Sequence, residues 1–153
     1  MREVLLASNN RGKRERYQRL LDSTSLDVVL RIPSELHIET LDPKEDGGSL
    51  DKNAEIKVRA YEGRTELPIL ANDTGFWVDD EGLVEEPKRK ALEGSGEQGL
   101  AEEEVYEKMQ LFWQRIARKY GGEVDAAWIE SFALLHTDGS IALAHSRREV
   151  TLT

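Results

Sequence analysis

Short apolar runs alternate with amphipathic stretches through the first half of the chain. Apolar runs lie at residues 4–7 and 69–71, and a stretch rich in Val and Leu lies at residues 26–32; each is bounded by polar residues or Pro, which is typical of strands. Apolar residues at helical spacing lie between the runs: Tyr17, Leu20 and Leu21 in one stretch, and Leu50, Ala54, Val58 and Tyr61 in the other. The alternation predicts an α/β fold in which helices flank a sheet.

The third apolar run leads into a polar segment that contains a glycine. Residues 68–79 are Pro-Ile-Leu-Ala-Asn-Asp-Thr-Gly-Phe-Trp-Val-Asp, so we expect the strand to break at residues 72–75 and to resume at residues 76–78. Open α/β sheets bind ligands just outside the carboxyl ends of their strands. Asp73 is therefore a candidate for holding a metal ion or an activated water. The alternative is an Asx-type turn that closes the strand.

A polar loop joins the first predicted strand to the first predicted helix. A strand, a glycine-containing loop and a helix start present free N–H groups and a positive helix end to a phosphate. In this loop Ser8 and Asn10 can hydrogen-bond phosphate oxygens, and Lys13 adds a positive charge. The spacing of Gly12 and Lys13 is not that of a Walker A motif. The alternative is an ordinary Asn-capped helix start with surface cations.

The second predicted helix begins at Ser49, a favourable N-cap residue. Asn53 and Lys57 lie four residues apart beside its apolar stripe, so both project from one face of the helix. From there Lys57 could reach a ligand at the sheet edge, and the alternative is that its side chain extends into solvent. An acidic segment at residues 39–48 precedes the helix. Such segments are usually solvated loops, but this position allows a carboxylate to reach the sheet edge.

The second half of the chain predicts two hairpins and one long helix. Turn residues at 79–82 and 136–140 are flanked by apolar strands, which is typical of hairpins. Residues 100–120 carry an apolar stripe with acidic first turns and a basic end, which predicts a helix whose stripe is core or a dimer contact. We expect residues 85–99 to form an exposed connection and residues 150–153 to form a separate last strand.

Composition narrows the functional classes. At 153 residues with 39% hydrophobic content, residues 1–153 are expected to form one domain. A net charge of −9 argues against binding long nucleic acid. There is no cysteine, which excludes thiolate chemistry, and the three histidines are too scattered for a metal site and are expected to be structural or surface residues. The run at residues 4–7 is too short for a signal peptide and no stretch approaches a membrane span, so we expect a cytoplasmic protein without a membrane partner.

Three stretches taken together resemble the inosine triphosphate pyrophosphatase family, whose members act on non-standard purine nucleoside triphosphates. Residues 6–13 (Leu-Ala-Ser-Asn-Asn-Arg-Gly-Lys) resemble the family's Thr/Ser-x-Asn-x-x-Lys loop. Glu45 and residues 49–60 resemble its acidic residue and its Glu-Asn-Ala-x-x-Lys-Ala helix. Residues 67–79 resemble its Leu-Pro-x-x-Ala-Asp/Glu-Asp-Ser-Gly-Leu-x-Val-Asp segment. The stretches occur in the family's order and at similar spacing, and they cover roughly the first half of the chain.

The resemblance implies a mixed, twisted sheet flanked by helices and a Mg²⁺-dependent hydrolysis of a nucleoside triphosphate to the monophosphate and pyrophosphate. Glu45 and Asp73 would bind Mg²⁺, and Asp73 would also orient or deprotonate the attacking water. The residues expected to bind the phosphates are Ser8, Asn10, Lys13, Lys57 and Thr74. The resemblance also implies a homodimer. The alternatives are a catalytically weak nucleotide-binding module that keeps only the triphosphate clamp, and an interaction protein on an enzyme scaffold.

The sequence departs from the family's pattern in two respects. Asn72 stands where the family usually has an acidic residue, so one carboxylate is missing. Three further motifs of the family have no counterpart: Ser-x-Arg-Tyr, the Gly-Phe-Gly-Tyr-Asp-Pro loop and a later Ser-His-Arg. The His-Ser-Arg-Arg at residues 145–148 is similar to the last of these but comes too early in the chain. The base would then be recognised by other residues, such as Phe76 or Trp77, or by a second subunit.

Overall fold

A computed structural model describes residues 1–84, 87–94 and 99–153. Strands and helices alternate in its first half, as the hydrophobic pattern predicts. The elements are β1 (Arg2–Leu6), α1 (Arg11–Asp22), β2 (Val28–Arg31), a 3-10 turn (Pro33–Leu36), α2 (Leu50–Ala60), β3 (Ile69–Val78), β4 (Gly82–Val84), α3 (Pro87–Ala91), α4 (Glu102–Lys119), β5 (Val124–Leu135) and β6 (Ile141–Leu152).

The strands form a mixed sheet. Their order is β2-β1-β3-β5-β6, and β4 pairs separately with β3. β1 is parallel to β2 and to β3, with Leu5 opposite Ile69 and Leu6 opposite Leu70. The β3–β4 pair is antiparallel, which confirms the predicted turn at residues 79–82. The expected α/β class with a mixed sheet and flanking helices is correct.

The chain divides into two compact units. The first unit comprises residues 1–73 and 131–145. Its main core includes Leu5, Val58 and Tyr61, so the predicted stripe of α2 is buried as expected. The predicted stripe of α1 is only partly correct, because Leu20 is exposed although Tyr17 is buried. Leu20 and Leu21 lie on opposite sides of Tyr17 around the helix, and the core covers only the side that carries Leu21.

The second unit comprises residues 74–130 and 146–153. Its core is aromatic and is built around Phe76, which is 2% exposed. The ring centroid of Phe76 lies 4.4 Å from that of Trp113 and 4.7 Å from that of Trp128. The C-terminal part of the predicted α4 stripe supplies Phe112, Ile116 and Tyr120 to this core, together with the neighbouring Trp113, so that part is confirmed as core. Val105 and Met109, from the N-terminal part, line a cavity in this unit and do not belong to this core.

Three local predictions are wrong. β3 is one continuous strand through residues 72–75, because those residues keep an extended backbone in the sheet. The expected exposed connection contains the short helix α3, after which Leu92 is buried; its residues 85, 86 and 95–98 lie outside the described residues. β6 continues from the predicted hairpin through residue 152, so residues 150–153 do not form a separate strand.

Asp51 fixes the first turn of α2 within the first unit. Its carboxylate is hydrogen-bonded by the Ser131 hydroxyl, and His145 Nε2 lies 2.6 Å from its Oδ1. The Ser131 hydrogen bond, followed by that of His145, lowers the pKa of the Asp51 carboxyl below its usual 3.8. His145 is thus a surface residue with a structural contact, as expected.

In the described ranges 1–84, 87–94 and 99–153, no helix is both long and apolar enough to cross a membrane.

Leu5 and Leu20 offer a matched test of the core. Leu5→Ala should lower the free energy of unfolding by about 2–5 kcal/mol, because Leu5 is completely buried. Leu20→Ala should change it by less than about 0.5 kcal/mol, because 61% of Leu20 is exposed. Urea unfolding followed by circular dichroism measures both values. Equal losses in the two variants would contradict this core.

The lowered pKa of Asp51 makes its contribution to stability depend on pH. The stabilisation is fully present above the unfolded-state pKa of 3.8 and is lost as the pH falls through the lower folded-state pKa. The deficit in unfolding free energy of Asp51→Asn should therefore be larger at about pH 6 than at about pH 2. Urea unfolding at both pH values measures this deficit. A deficit that does not change with pH would show that Asp51 acts only through packing.

Candidate active site

The site lies where β3 extends beyond its parallel neighbour β1. The paired register of the two strands ends at Leu6 and Leu70, and the Ala7 N–H donates to the Leu70 carbonyl at 2.8 Å. β1 then gives way to the loop before α1, whereas β3 continues. The sequence predicted that Asp73 lies at the carboxyl end of its strand. This prediction is wrong, because Asp73 lies in the middle of the ten-residue β3. The strand whose carboxyl end borders the site is β1, because β1 ends at Leu6 while β3 continues beside it.

The loop after β1 is ordered by its own side chains. The Asn10 side chain caps α1 by accepting from the Lys13 N–H at 2.9 Å, and the Ser8 hydroxyl accepts from the Asn10 N–H at 3.1 Å. The alternative interpretation, an Asn-capped helix start, thus describes this loop correctly. It is compatible with phosphate binding, because capping leaves other N–H groups of the first turn without intrahelical partners.

A cavity of about 430 Å³ in the first unit adjoins this loop. Ser8 lines it from the loop, Lys13 from the first turn of α1, Glu45 from the acidic segment, and Lys57 from α2. The cavity therefore brings together two cations, Lys13 and Lys57, and two carboxylates, Asp42 and Glu45, from segments that are distant in sequence. The acidic segment 39–48 is not merely solvated, since part of it forms a wall of the cavity.

Lys57 links the two carboxylates of the predicted metal site. Its Nζ lies 2.6 Å from Glu45 Oε1 and 3.1 Å from Asp73 Oδ1, and it donates to the Asn72 carbonyl at 3.1 Å. The Lys57 side chain is 20% exposed, so the alternative that it extends into solvent is wrong. Burial, the largest single influence, lowers the pKa of Lys57. The hydrogen bonds and charges of Glu45 and Asp73 together outweigh burial, so the pKa lies above its usual 10.5 and the side chain is charged at neutral pH.

Asn53 holds the other oxygen of Asp73. Its Nδ2 donates to Asp73 Oδ2 at 3.1 Å, while its Oδ1 accepts from the Gly47 N–H at 3.0 Å. One amide therefore connects β3 to the loop that carries Glu45. Sequence reasoning missed this role, although the spacing of four residues between Asn53 and Lys57 places both on one face of α2.

Asn72 is buried and serves as a hydrogen-bond donor. Its Nδ2 donates to the Tyr17 hydroxyl at 2.7 Å, and Arg16 Nη2 donates to the same hydroxyl at 3.0 Å. The amide thereby joins β3 to α1. An ionised carboxylate at position 72 could not donate to Tyr17. The sequence gave no indication of this contact, because Tyr17 is 55 residues away.

Asn9 is a second residue that sequence reasoning missed. Its Oδ1 accepts from the Ser34 N–H at 3.1 Å, and its Nδ2 donates to the Thr40 hydroxyl. Both Asn9 and Thr40 line the cavity. Asn9 therefore connects the loop after β1 to residues 34 and 40, and Thr40 forms part of the cavity wall. No spacing rule would have found this contact, because its partners are 25 and 31 residues away.

Thr74 and the two residues suggested for base recognition belong to the second unit. The Thr74 hydroxyl donates to Glu130 Oε1 at 3.3 Å. Phe76 is enclosed by the aromatic core and offers no open face to a base. Trp77 is 37% exposed, and its Nε1 donates to Asp79 at 3.2 Å. Of these two aromatic residues, only Trp77 is accessible for stacking.

The donor set at Lys57 fits Mg²⁺ only in part. Within residues 1–84, 87–94 and 99–153 there is no group of three or more acidic or histidine side chains that could hold a metal. Glu45 and Asp73 do approach the same atom of Lys57. Mg²⁺ is commonly held by one or two carboxylates together with substrate phosphates. These oxygen donors therefore suit an ion that is shared with a nucleotide, and they do not form a complete cage.

Comparison with known proteins gives one family model and several relatives. The model of the Ham1 family matches residues 4–127. A dITP/XTP pyrophosphatase of Corynebacterium glutamicum is 39% identical over 79 residues, which is 51% of this chain and 38% of that protein. One of Zymomonas mobilis is 36% identical over 94 residues, or 61% of this chain and 42% of that protein. The chain thus spans about two fifths of the length of the curated relatives it matches.

Solved structures have the same fold. A HAM1 protein from Coxiella burnetii superposes with a TM-score of 0.67 at 24% identity, covering 97% of this chain and 72% of that chain. A nucleoside-triphosphatase, also named dITP/XTP pyrophosphatase, from Mycobacterium abscessus superposes with a TM-score of 0.64 at 23% identity, covering 96% and 72%. At these identities the likeness concerns the fold.

Gly47 gives a test of the contact between the acidic loop and α2. A Cβ at Gly47 would lie 2.5 Å from the Cβ of Lys52 and 3.0 Å from its carbonyl carbon, so Gly47→Ala should push the loop away from α2. The expected loss of unfolding free energy is about 1–3 kcal/mol. Faster hydrogen exchange of the residue-47 N–H should accompany this loss, because that N–H bonds Asn53.

Gly12→Ala is the matched control. A Cβ at Gly12 would meet its nearest atom, Asn10 Oδ1, at 3.4 Å, which is an ordinary contact. Since Gly12 lies in α1, alanine should leave stability unchanged or raise it by up to about 1 kcal/mol. If Gly47→Ala were as stable as Gly12→Ala, the close packing of the acidic loop on α2 would be refuted.

Proposed function

The chain belongs to the Ham1 family, and from this premise we propose that it hydrolyses a non-standard purine nucleoside triphosphate to the monophosphate and pyrophosphate with the help of Mg²⁺. The relatives named dITP/XTP pyrophosphatase support the substrate class. The observation that carries the proposal is the position of Lys57. It lines one cavity with Ser8, Lys13 and Glu45, and it also contacts Asp73.

Phosphate binding is the first part of the proposal. Lys13 from α1 and Lys57 from α2 supply positive charge to the cavity, and Ser8 supplies a hydroxyl next to the N-terminus of α1. This arrangement favours a chain of phosphates over a single small anion, because the donors come from two helices. Asn10 remains a predicted phosphate ligand, and its side chain caps α1 without lining the cavity. Thr74 also remains a predicted phosphate ligand, and its hydroxyl bonds Glu130 in the second unit.

Activation of water is the second part. Asp73 is 13% exposed, and both its oxygens are held, one by Lys57 and one by Asn53. A carboxylate fixed in this way can orient a water molecule and accept its proton. Lys57 and Lys13 would stabilise the negative charge that develops on the phosphates. Glu45 and Asp73 would hold Mg²⁺, which supplies charge neutralisation and lowers the pKa of a bound water.

The neutral residue at position 72 favours a second candidate function. The Asn72 amide stands where the resembling family usually has an acidic residue, and it is committed to Tyr17. A chain with one carboxylate fewer could bind a nucleoside triphosphate while turning it over slowly or not at all. The alternative is therefore a nucleotide-binding module or subunit that keeps the triphosphate clamp.

Three further expectations remain predictions of this proposal. They are that residues 1–153 act as a single pyrophosphatase-like domain, that two copies of the chain form a homodimer, and that the protein works in the cytoplasm.

Pyrophosphate release from a panel of triphosphates tests the activity. With ITP, XTP and the standard dNTPs, we expect release that requires Mg²⁺ and stops in EDTA. Asp73→Asn should lower kcat by roughly 100-fold or more, because the amide cannot accept the water's proton. The panel also shows which base the protein selects.

The control for this experiment is Asp27→Asn. Asp27 is an exposed residue whose side chain pairs with the N-terminal amine, so the same substitution there should leave kcat unchanged. Absence of release from every triphosphate, with nucleotide binding still measurable by calorimetry, would overturn the hydrolase and make the binding module the leading account.

A further inference from the structure

We propose that Lys57 occupies the position between Glu45 and Asp73 until a triphosphate arrives, so that the divalent cation enters together with the nucleotide and is not bound beforehand. The inference rests on the proposed function, since it assumes that these two carboxylates receive the cation. It adds an order of events and gives Lys57 two successive sets of partners.

The three donors of the Lys57 ammonium are all in use. They go to Glu45 Oε1 at 2.6 Å, Asp73 Oδ1 at 3.1 Å and the Asn72 carbonyl at 3.1 Å. An ammonium group has three N–H donors and no acceptor. Its hydrogen-bonding capacity is therefore satisfied without substrate. A cation that enters alone must break two of these contacts and provides no acceptor in exchange.

The balance of charge acts in the same direction. Glu45 and Asp73 contribute two negative charges, and Lys57 compensates one of them. A divalent ion placed between the carboxylates would lie close to the ammonium, and the Lys57 side chain is 20% exposed, so solvent screens their repulsion only partly. The protein without nucleotide should consequently bind the cation weakly.

A triphosphate removes both obstacles. Lys57 lines the same cavity as Ser8 and Lys13, so its ammonium can turn toward phosphate oxygens without leaving the cavity. The phosphates replace the acceptors that Lys57 gives up, and they supply further oxygens to the cation. Asn53 keeps Asp73 in place meanwhile, because it holds the other carboxylate oxygen. Lys57 would thus couple the arrival of nucleotide to the opening of the cation site.

The simpler reading is a structural ion pair. In that case Lys57 would stabilise the packing of α2 on β3, and its removal would alter stability without altering the affinity for a metal ion. The two readings therefore differ in a quantity that does not require turnover, namely the affinity of the nucleotide-free chain for a divalent cation.

Binding of Mn²⁺ to the full chain, followed by the electron paramagnetic resonance of free Mn²⁺, separates the readings. Without nucleotide, Lys57→Met should bind Mn²⁺ roughly tenfold or more tightly than the wild type, because one positive charge next to the carboxylates is gone. Adding Asp73→Asn to that variant should abolish the gain. Equal affinity of the wild type and Lys57→Met would overturn the inference.

Lys52→Met is the matched control. Lys52 lies on the same helix and also pairs with a carboxylate, that of Glu55, but its side chain is 63% exposed and faces away from the contacts of Lys57. It should bind Mn²⁺ like the wild type. A gain in Lys52→Met as large as that in Lys57→Met would show that only net charge matters, and it would also overturn the inference.

A measurement on the wild type alone decides the question if Lys57→Met does not fold. Relaxation of water protons by Mn²⁺ should show tight binding to the protein only when a purine triphosphate analogue with a non-hydrolysable α–β bridge is present. Equally tight binding of Mn²⁺ to the protein without the analogue would refute the order of events. None of these Mn²⁺-binding measurements depends on pyrophosphate release. A protein that does not hydrolyse triphosphates could therefore still show the proposed order of binding, so failure of the proposed function and failure of this inference are distinguishable.

Discussion

The early end of β1 is the constraint on which the site depends. Parallel pairing with β3 ends at Leu6 and Leu70, after which the chain turns through a polar loop into α1. β3 continues past this point, and side chains from both α1 and α2 reach residues 72 and 73 there. Had β1 been a few residues longer, its own backbone would have covered this stretch of β3.

Charge compensation explains how two carboxylates are brought together in a chain whose net charge is −9. Removing a carboxylate from water is costly unless a partner replaces the lost hydrogen bonds. Lys57 provides that partner for both Glu45 and Asp73, and Asn53 completes the coordination of Asp73. The same contacts would, under the proposal above, make the two carboxylates a poor site for a cation that arrives without nucleotide.

Asn72 has a structural role beside the site. The amide donates to Tyr17 and so ties β3 to α1, the helix that begins at the proposed phosphate loop. An aspartate at this position would add a carboxylate but would remove this donor. Phe76 is buried in the aromatic core of the second unit. Trp77 is therefore the accessible one of the two aromatic residues considered for base recognition.

Local pattern was sufficient for much of the fold. Apolar runs and helical spacing located the strands and helices, and Ser49 and Asn10 were recognisable caps. Three motif-bearing stretches taken together pointed to the correct family. These features depend on neighbours within a few residues, and therefore the sequence by itself determined them. The direction of the Lys57 side chain, the exposure of Leu20 and the partner of Asn72 were decided only by the tertiary structure. Each depends on contacts between segments that are far apart in sequence, and no local spacing records which of two faces another element will cover.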